Sequence, residues 1–183
     1  MPDITESPHI AGVHVVDPTI HGDQRGLFIE TYRREWIPGA REMIQSNRAN
    51  RQQGAVVGLH YHLHQSDYWY IPFGTARVVL HDLREGGPTD GATHCLDMSS
   101  ETHIGVYIPP GVAHGVAAVT DRVSTYLVDG YYNAADELGV AWDDPAIDAD
   151  WGVTDPILSE RDQQNPRRAD LPANRRPYWP MRT

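Results

Sequence analysis

The run Gly58-Leu59-His60-Tyr61-His62-Leu63-His64 sets three imidazoles at alternate positions. Residues two apart on a strand share a face, so His60, His62 and His64 are predicted to point one way and Tyr61 and Leu63 the other. An imidazole on such a face can act as a general base near neutral pH or as a metal ligand. Three of them buried without a task would each need hydrogen-bond partners, which makes this face a candidate site. Asp67 follows shortly afterwards, and Pro110-Gly111-Val112-Ala113-His114 brings a further histidine behind a turn. Imidazoles with one carboxylate suit Fe, Ni, Zn or Mn.

The elements that must position these side chains read as strands. Short apolar segments at 12–16, 27–32, 43–50, 55–64, 68–73, 76–83, 92–98, 103–108, 113–119 and 122–130 alternate with Gly- and Pro-rich turns. A short helix is predicted over 33–37, stopped by Pro38-Gly39. About ten short strands at regular spacing predict an all-β sandwich or barrel. Residues 1–10 read as an N-terminal tail, 11–165 as one domain and 166–183 as an Arg- and Pro-rich C-terminal tail. The segment from 133 to 163 has no period and is predicted to wrap the barrel irregularly. Tyr68, Trp69 and Tyr70 read as barrel core and rim.

Composition narrows the chemistry. The 183 residues contain no lysine, so all 15 basic residues are arginines and lysine Schiff bases are excluded. The net charge of −10 argues against nucleic acid as a partner. One cysteine, Cys95, rules out an intrachain disulfide and is expected to be a small buried hydrophobe. No apolar run approaches the roughly 18 residues of a membrane span. The first residues lack the basic start and apolar core of a signal peptide, and a cytoplasmic location is expected.

Two resemblances follow from the motifs. His60-Tyr61-His62 with Asp67, Gly74 and Pro110-Gly111-Val112-Ala113-His114 resembles the two sequence motifs of the cupin superfamily, with Asp67 where Glu is usual. This implies a double-stranded β-helix, or jelly-roll, barrel. A longer series contains Asp23-Gln24-Arg25-Gly26-Leu27-Phe28-Ile29-Glu30, Gln45-Ser46-Asn47 and Gly58-Leu59-His60-Tyr61. It continues with Ile108 to Gly115, Tyr126, Tyr131-Tyr132-Asn133, Trp142 to Pro145, Asp150-Trp151 and Leu158 to Asp162. In this order the series resembles the dTDP-4-dehydrorhamnose 3,5-epimerase family over residues 11–166. The resemblance implies a homodimer that needs no cofactor and acts on a nucleotide-linked 4-keto-6-deoxy sugar. It implies His60 as base, Asp162 as its support and Tyr126 as the acid on the opposite face. Arg25, Phe28, Glu30, Gln45, Asn47, Asp67, His114, Tyr132 and Glu137 would line the substrate site. Arg25 and Phe28 would reach the neighbouring subunit through exchanged N-terminal strands.

The chain departs from that family at two positions. Val57 stands where the family carries an arginine that binds the substrate's diphosphate, and Asp67 where it carries a lysine near the sugar's C4 oxygen. An ionised Asp67 would repel a forming enolate. Asp67 could instead be a hydrogen-bond donor, meet a different substrate group, or hold a metal with His62, His64 or His114. Arg48 or Arg51 could supply the missing positive charge. Two further functions compete with epimerisation: a metal-dependent cupin enzyme using His60, His62, Asp67 and His114, and a sugar-binding cupin without turnover.

Overall fold

Alternating side chains dictate most of the architecture, because a strand buries one row of residues and exposes the next. The computed structural model describes residues 1–180. The strands are β1 (Asp3–Glu6), β2 (His14–Asp17), β3 (Ile20–Asp23), β4 (Gly26–Ile29), β5 (Gln45–Arg51), β6 (Val56–Tyr61) and β7 (Asp67–Phe73). They continue as β8 (Thr75–Asp82), β9 (Thr93–Ser99), β10 (Gly105–Ile108), β11 (Val112–Ala118), β12 (Arg122–Val128) and β13 (Leu138–Gly139). The predicted helix at 33–37 is a 3-10 turn, Arg34–Trp36, and a single-turn helix α1 covers Glu160–Gln163.

Two antiparallel sheets face each other. One has the order β1-β2-β10-β7-β12-β5 and the other β13-β6-β11-β8-β9, while β3 and β4 form a separate hairpin. Val78, Leu80, Val112 and Val116 fill the space between the sheets. Leu59, Tyr61 and Val79 point out of the second sheet and are covered by Val140, Ile147, Trp151 and Leu171. That sheet is therefore buried on both faces, which is why β8 and β11 read as nearly continuous apolar runs.

Both predicted tails differ from expectation. Asp3–Glu6 pairs with β2 as a sheet-edge strand. At the other end Leu171 is buried, Arg176 bonds Glu85, and Trp179 stacks on Arg84, which is itself paired with Asp82. These apolar and paired contacts hold residues 166–180 on the barrel. Met181 to Thr183 lie outside the described residues.

The strand predicted over 55–64 ends at Tyr61. The Asp136 carboxylate accepts the N–H groups of Leu63 at 2.7 Å and His64 at 3.0 Å, and this turns the chain out of the sheet. His64 is consequently exposed and does not share the inward face of His60 and His62.

Candidate active site

His60 faces inward because of a bulge. In the pairing of β6 with β11, His60 lies opposite His114 while Val57 lies opposite Val116, so three steps on one strand match two on the other. Gly58 absorbs the extra residue at φ +110°, and a Cβ there would stand 2.7 Å from the His114 carbonyl oxygen. Only glycine fits. The bulge re-aims the strand so that Val57 and His60 both reach the interior.

The two sheets enclose a cavity of about 140 Å³, whose walls include Val57, His60 and His114 from one sheet, His62 just beyond β6, and Asp67, Trp69 and Tyr126 from the other sheet. Ligand pockets for larger molecules run to roughly 300–1,000 Å³, so this cavity takes one ring-sized part of a ligand. A groove of about 620 Å³ runs alongside and shares Arg51, Val57 and His60 with it.

His60 Nε2 stands 2.6 Å from Asp162 Oδ1. Asp162 sits in α1, where its own N–H donates to the Ser159 hydroxyl at 3.1 Å, and it also accepts the Gly58 N–H at 3.4 Å. Burial alone would raise the Asp162 carboxyl, but the hydrogen bond and charge of His60, with Gly58 and Ser159, outweigh it and hold it below its usual range. The ionised carboxylate therefore accepts a hydrogen bond from the Nε2–H of His60. That leaves Nδ1 to act in the cavity, with Glu137 Oε1 3.6 Å away. Across the cavity, burial first, then the nearby charges of Asp67 and Glu137, push the Tyr126 phenol above its ordinary value. It keeps its proton at neutral pH.

A second cluster lies deeper. His62 Nδ1 donates to the Asp136 carbonyl at 2.8 Å and His114 Nδ1 to the Val112 carbonyl at 3.0 Å. Both rings thus turn Nε2 toward Asp67, at 3.9 Å and 4.0 Å, beyond hydrogen-bond reach. Burial pushes the His114 imidazole down to about 4, overriding the attraction of Asp67. Asp67 accepts from Gln65 Nε2 at 2.9 Å and Trp69 Nε1 at 3.0 Å. Ligand atoms of His62, Asp67 and His114 lie within 4.8 Å of one another, a spacing compatible with one cation. His60 is outside this group, because its Nε2 is engaged by Asp162.

Of the other residues named from sequence, Glu137 lines the cavity and is bonded through its carbonyl to Arg161 at 2.9 Å. Gln45 and Asn47 bond each other at 2.9 Å on the cavity-facing row of β5, beyond its wall. Arg25, Phe28 and Glu30 do not line this chain's cavity. Arg25 pairs with Asp23, Glu30 with Arg33, and Phe28 is 63% exposed. Tyr132 is exposed as well. Arg48 points away and bonds Asn50, whereas Arg51 reaches the cavity. Cys95 is free and half-buried against the core. Sequence reasoning missed Arg122, Ser124 and Gln65, which also line the cavity. Alternation from Tyr126 on β12 was the available signal, since 122, 124 and 126 share one face.

The fold and site together define a cupin-type jelly-roll protein whose cavity is equipped for proton transfer, with a carboxylate-held histidine on one wall and a protonated tyrosine on the other. The profile described as dTDP-4-dehydrorhamnose 3,5-epimerase matches residues 7–170. The chain is 34% identical over 178 residues to the dTDP-4-dehydrorhamnose 3,5-epimerase of Sinorhizobium fredii, covering 92% of this chain and 91% of that one. It is 33% identical over 162 residues to the dTDP-4-dehydrorhamnose 3-epimerase of Streptomyces niveus, covering 84% and 78%. The crystal structure of the 3,5-epimerase RmlC from Legionella pneumophila, in complex with dTDP-4-keto-L-rhamnose, superposes with a TM-score of 0.92 at 26% identity, covering 98% and 99%. The chain belongs to the dTDP-4-dehydrorhamnose 3,5-epimerase family.

Proposed function

We propose that this protein inverts a carbon beside the ketone of a nucleotide-linked 4-keto-6-deoxy sugar, by removing a proton from one face and returning one to the other. The observation that carries this reading is the placement of the His60–Asp162 pair and Tyr126 on opposing walls of one small cavity. Protons alpha to a ketone are acidic because the enolate spreads charge onto the carbonyl oxygen. His60 Nδ1 takes such a proton, and Asp162 stabilises the imidazolium that forms. Tyr126 delivers a proton from the opposite side. These steps are proton transfers and require no redox partner. Relatives named as 3,5- and 3-epimerases leave C3, C5 or both as the reacting carbon. Incubation with dTDP-4-keto-6-deoxyglucose in deuterated water reads this directly. Deuterium at C3, C5 or both is expected, and absence of uptake with every 4-keto-6-deoxy sugar tried overturns the reading.

We further infer a cytoplasmic homodimer in which the β3–β4 hairpin crosses to the neighbouring subunit and carries Arg25, Phe28 and Glu30 to its cavity. Supporting this, Ile20, Leu27 and Phe28 are 51%, 58% and 63% exposed on a hairpin that pairs with no other strand among the described residues. Sedimentation should give twice the 20.5 kDa chain mass. Mixed dimers of Arg25→Ala and His60→Asn subunits should recover activity, because one of their two sites carries neither change. A monomeric mass, or no recovery, defeats the exchange.

A second reading concerns the deeper cluster. His62, Asp67 and His114 fit a divalent cation, because their backbone-anchored rings present Nε2 atoms together with a carboxylate. Such an ion would polarise the substrate ketone where the family's lysine is absent. This reading makes His60 the base rather than a ligand. Elemental analysis of untagged protein purified without chelator is expected to find about one metal per chain under this reading. A value near zero that persists after reconstitution removes it.

A further inference from the structure

Arg122 is 2% exposed. Its Nη1 donates to the Ser124 hydroxyl at 2.9 Å, its Nε has no partner, and no carboxylate among the described residues lies in ion-pair range. The other buried arginine among the described residues, Arg84, behaves differently: it is paired with Asp82 at 2.7 Å. A buried, unpaired guanidinium is costly unless something meets it. Arg122 lines the cavity that holds His60 and Tyr126. Directly across the ladder lies Arg51, whose Nη1 is bound only to the neighbouring Asn50 carbonyl, at 2.9 Å. Arg51 touches both the cavity and the adjoining groove. Two cations side by side, without a carboxylate, repel each other until an anion bridges them.

Val57 lines the same cavity from the opposite sheet. It occupies the position at which the family resemblance places a diphosphate-binding arginine. The positive charge missing from β6 is therefore present on β12, on the facing wall. We propose that Arg122, with Arg51 at the mouth, is the anion subsite that receives the diphosphate of a nucleoside-diphosphate sugar. This rests on the proposed epimerase reading, and it places the sugar in the cavity with the nucleoside along the groove. Guanidinium groups suit this task because their forked donors match phosphoryl oxygens.

Calorimetry with thymidine diphosphate, inorganic pyrophosphate and thymidine tests the proposal independently of turnover. The wild type is expected to bind the diphosphate, to bind pyrophosphate more weakly, and to bind thymidine weakest. Arg122→Met keeps the side chain's length and removes its charge. Its affinity for thymidine diphosphate should fall by about 10- to 100-fold, the range for losing charged hydrogen bonds, while its affinity for thymidine is unchanged. Its unliganded melting temperature should equal or exceed that of the wild type, since an unpaired buried cation has been removed. Should that variant fail to fold, Arg51→Gln serves: it should weaken pyrophosphate binding and leave thymidine binding intact. On a 4-keto sugar, KM should rise while kcat holds. Diphosphate binding that survives Arg122→Met or Arg51→Gln unchanged overturns the proposal, as does a wild type that binds no diphosphate. Arginine-dependent diphosphate binding without deuterium exchange would instead retain the subsite and discard the epimerase reading.

Discussion

Replacing His60 with asparagine is expected to lower kcat for solvent exchange at the sugar carbon by about 10²- to 10⁴-fold, the usual contribution of a general base. Asparagine has no lone pair basic enough to take a carbon-bound proton, yet it can still hydrogen-bond Asp162. The pair at 2.6 Å joins β6 to α1, so a residue that keeps a polar contact there limits structural damage. Binding of thymidine diphosphate should stay within roughly threefold of wild type, because an interaction used only in the transition state alters kcat rather than ground-state binding. The Arg122→Met variant should show the reverse pattern, with KM affected and kcat spared. A His60→Asn protein that exchanges deuterium at wild-type rate would remove His60 from the chemistry.

Asp162→Asn is expected to cost nearly as much through a different route. The asparagine side chain can present its amide N–H to Nε2, which then becomes an acceptor. The ring proton moves to Nδ1, the nitrogen that should be free to act in the cavity. Buried carboxylates that hold a catalytic imidazole in its tautomer lose up to about 10⁴-fold in kcat on this exchange in hydrolytic triads. Asp162 contacts the base rather than the substrate and is a positioning residue. Its variant should therefore leave KM and the melting temperature nearly unchanged. The distinctive readout is nitrogen-15 NMR of His60, which should report Nε2–H in the wild type and Nδ1–H in the variant. An unchanged tautomer together with unchanged kcat would show that Asp162 does not direct the base.

The motif residues show how differently local and distant information behave. His60 was legible from the strand repeat, a local property, whereas Asp67 and His114 were singled out by their resemblance to the cupin motifs; all three line the cavity. His64 was misjudged for an equally physical reason: the Asp136 carboxylate captures its backbone N–H from 72 positions away, and no local pattern reports that. Arg122 stood in a predicted strand, but its importance depends on having no carboxylate nearby once the sheet forms. The N-terminal and C-terminal segments looked like tails because they are short, polar or Pro-rich, whereas a sheet edge at β2 and the apolar side of β6 and β8 were available to hold them.

By itself, the sequence determined an all-β barrel, an inward-facing His60, a chemistry without lysine, and, through resemblance, the pairing of His60 with Asp162. The strands and the missing lysine follow from residue type and a two-residue repeat that neighbouring residues enforce; the bulge at Gly58 then sets which face His60 takes, and its pairing with Asp162 was given by resemblance alone. Only the tertiary structure decided which walls meet across the cavity. It set Tyr126 opposite His60, separated His62, Asp67 and His114 from the base, and left Arg122 buried and unpaired. Those outcomes depend on antiparallel pairings and burial between segments far apart in the chain, where free energy is decided by what each side chain meets and not by what precedes it.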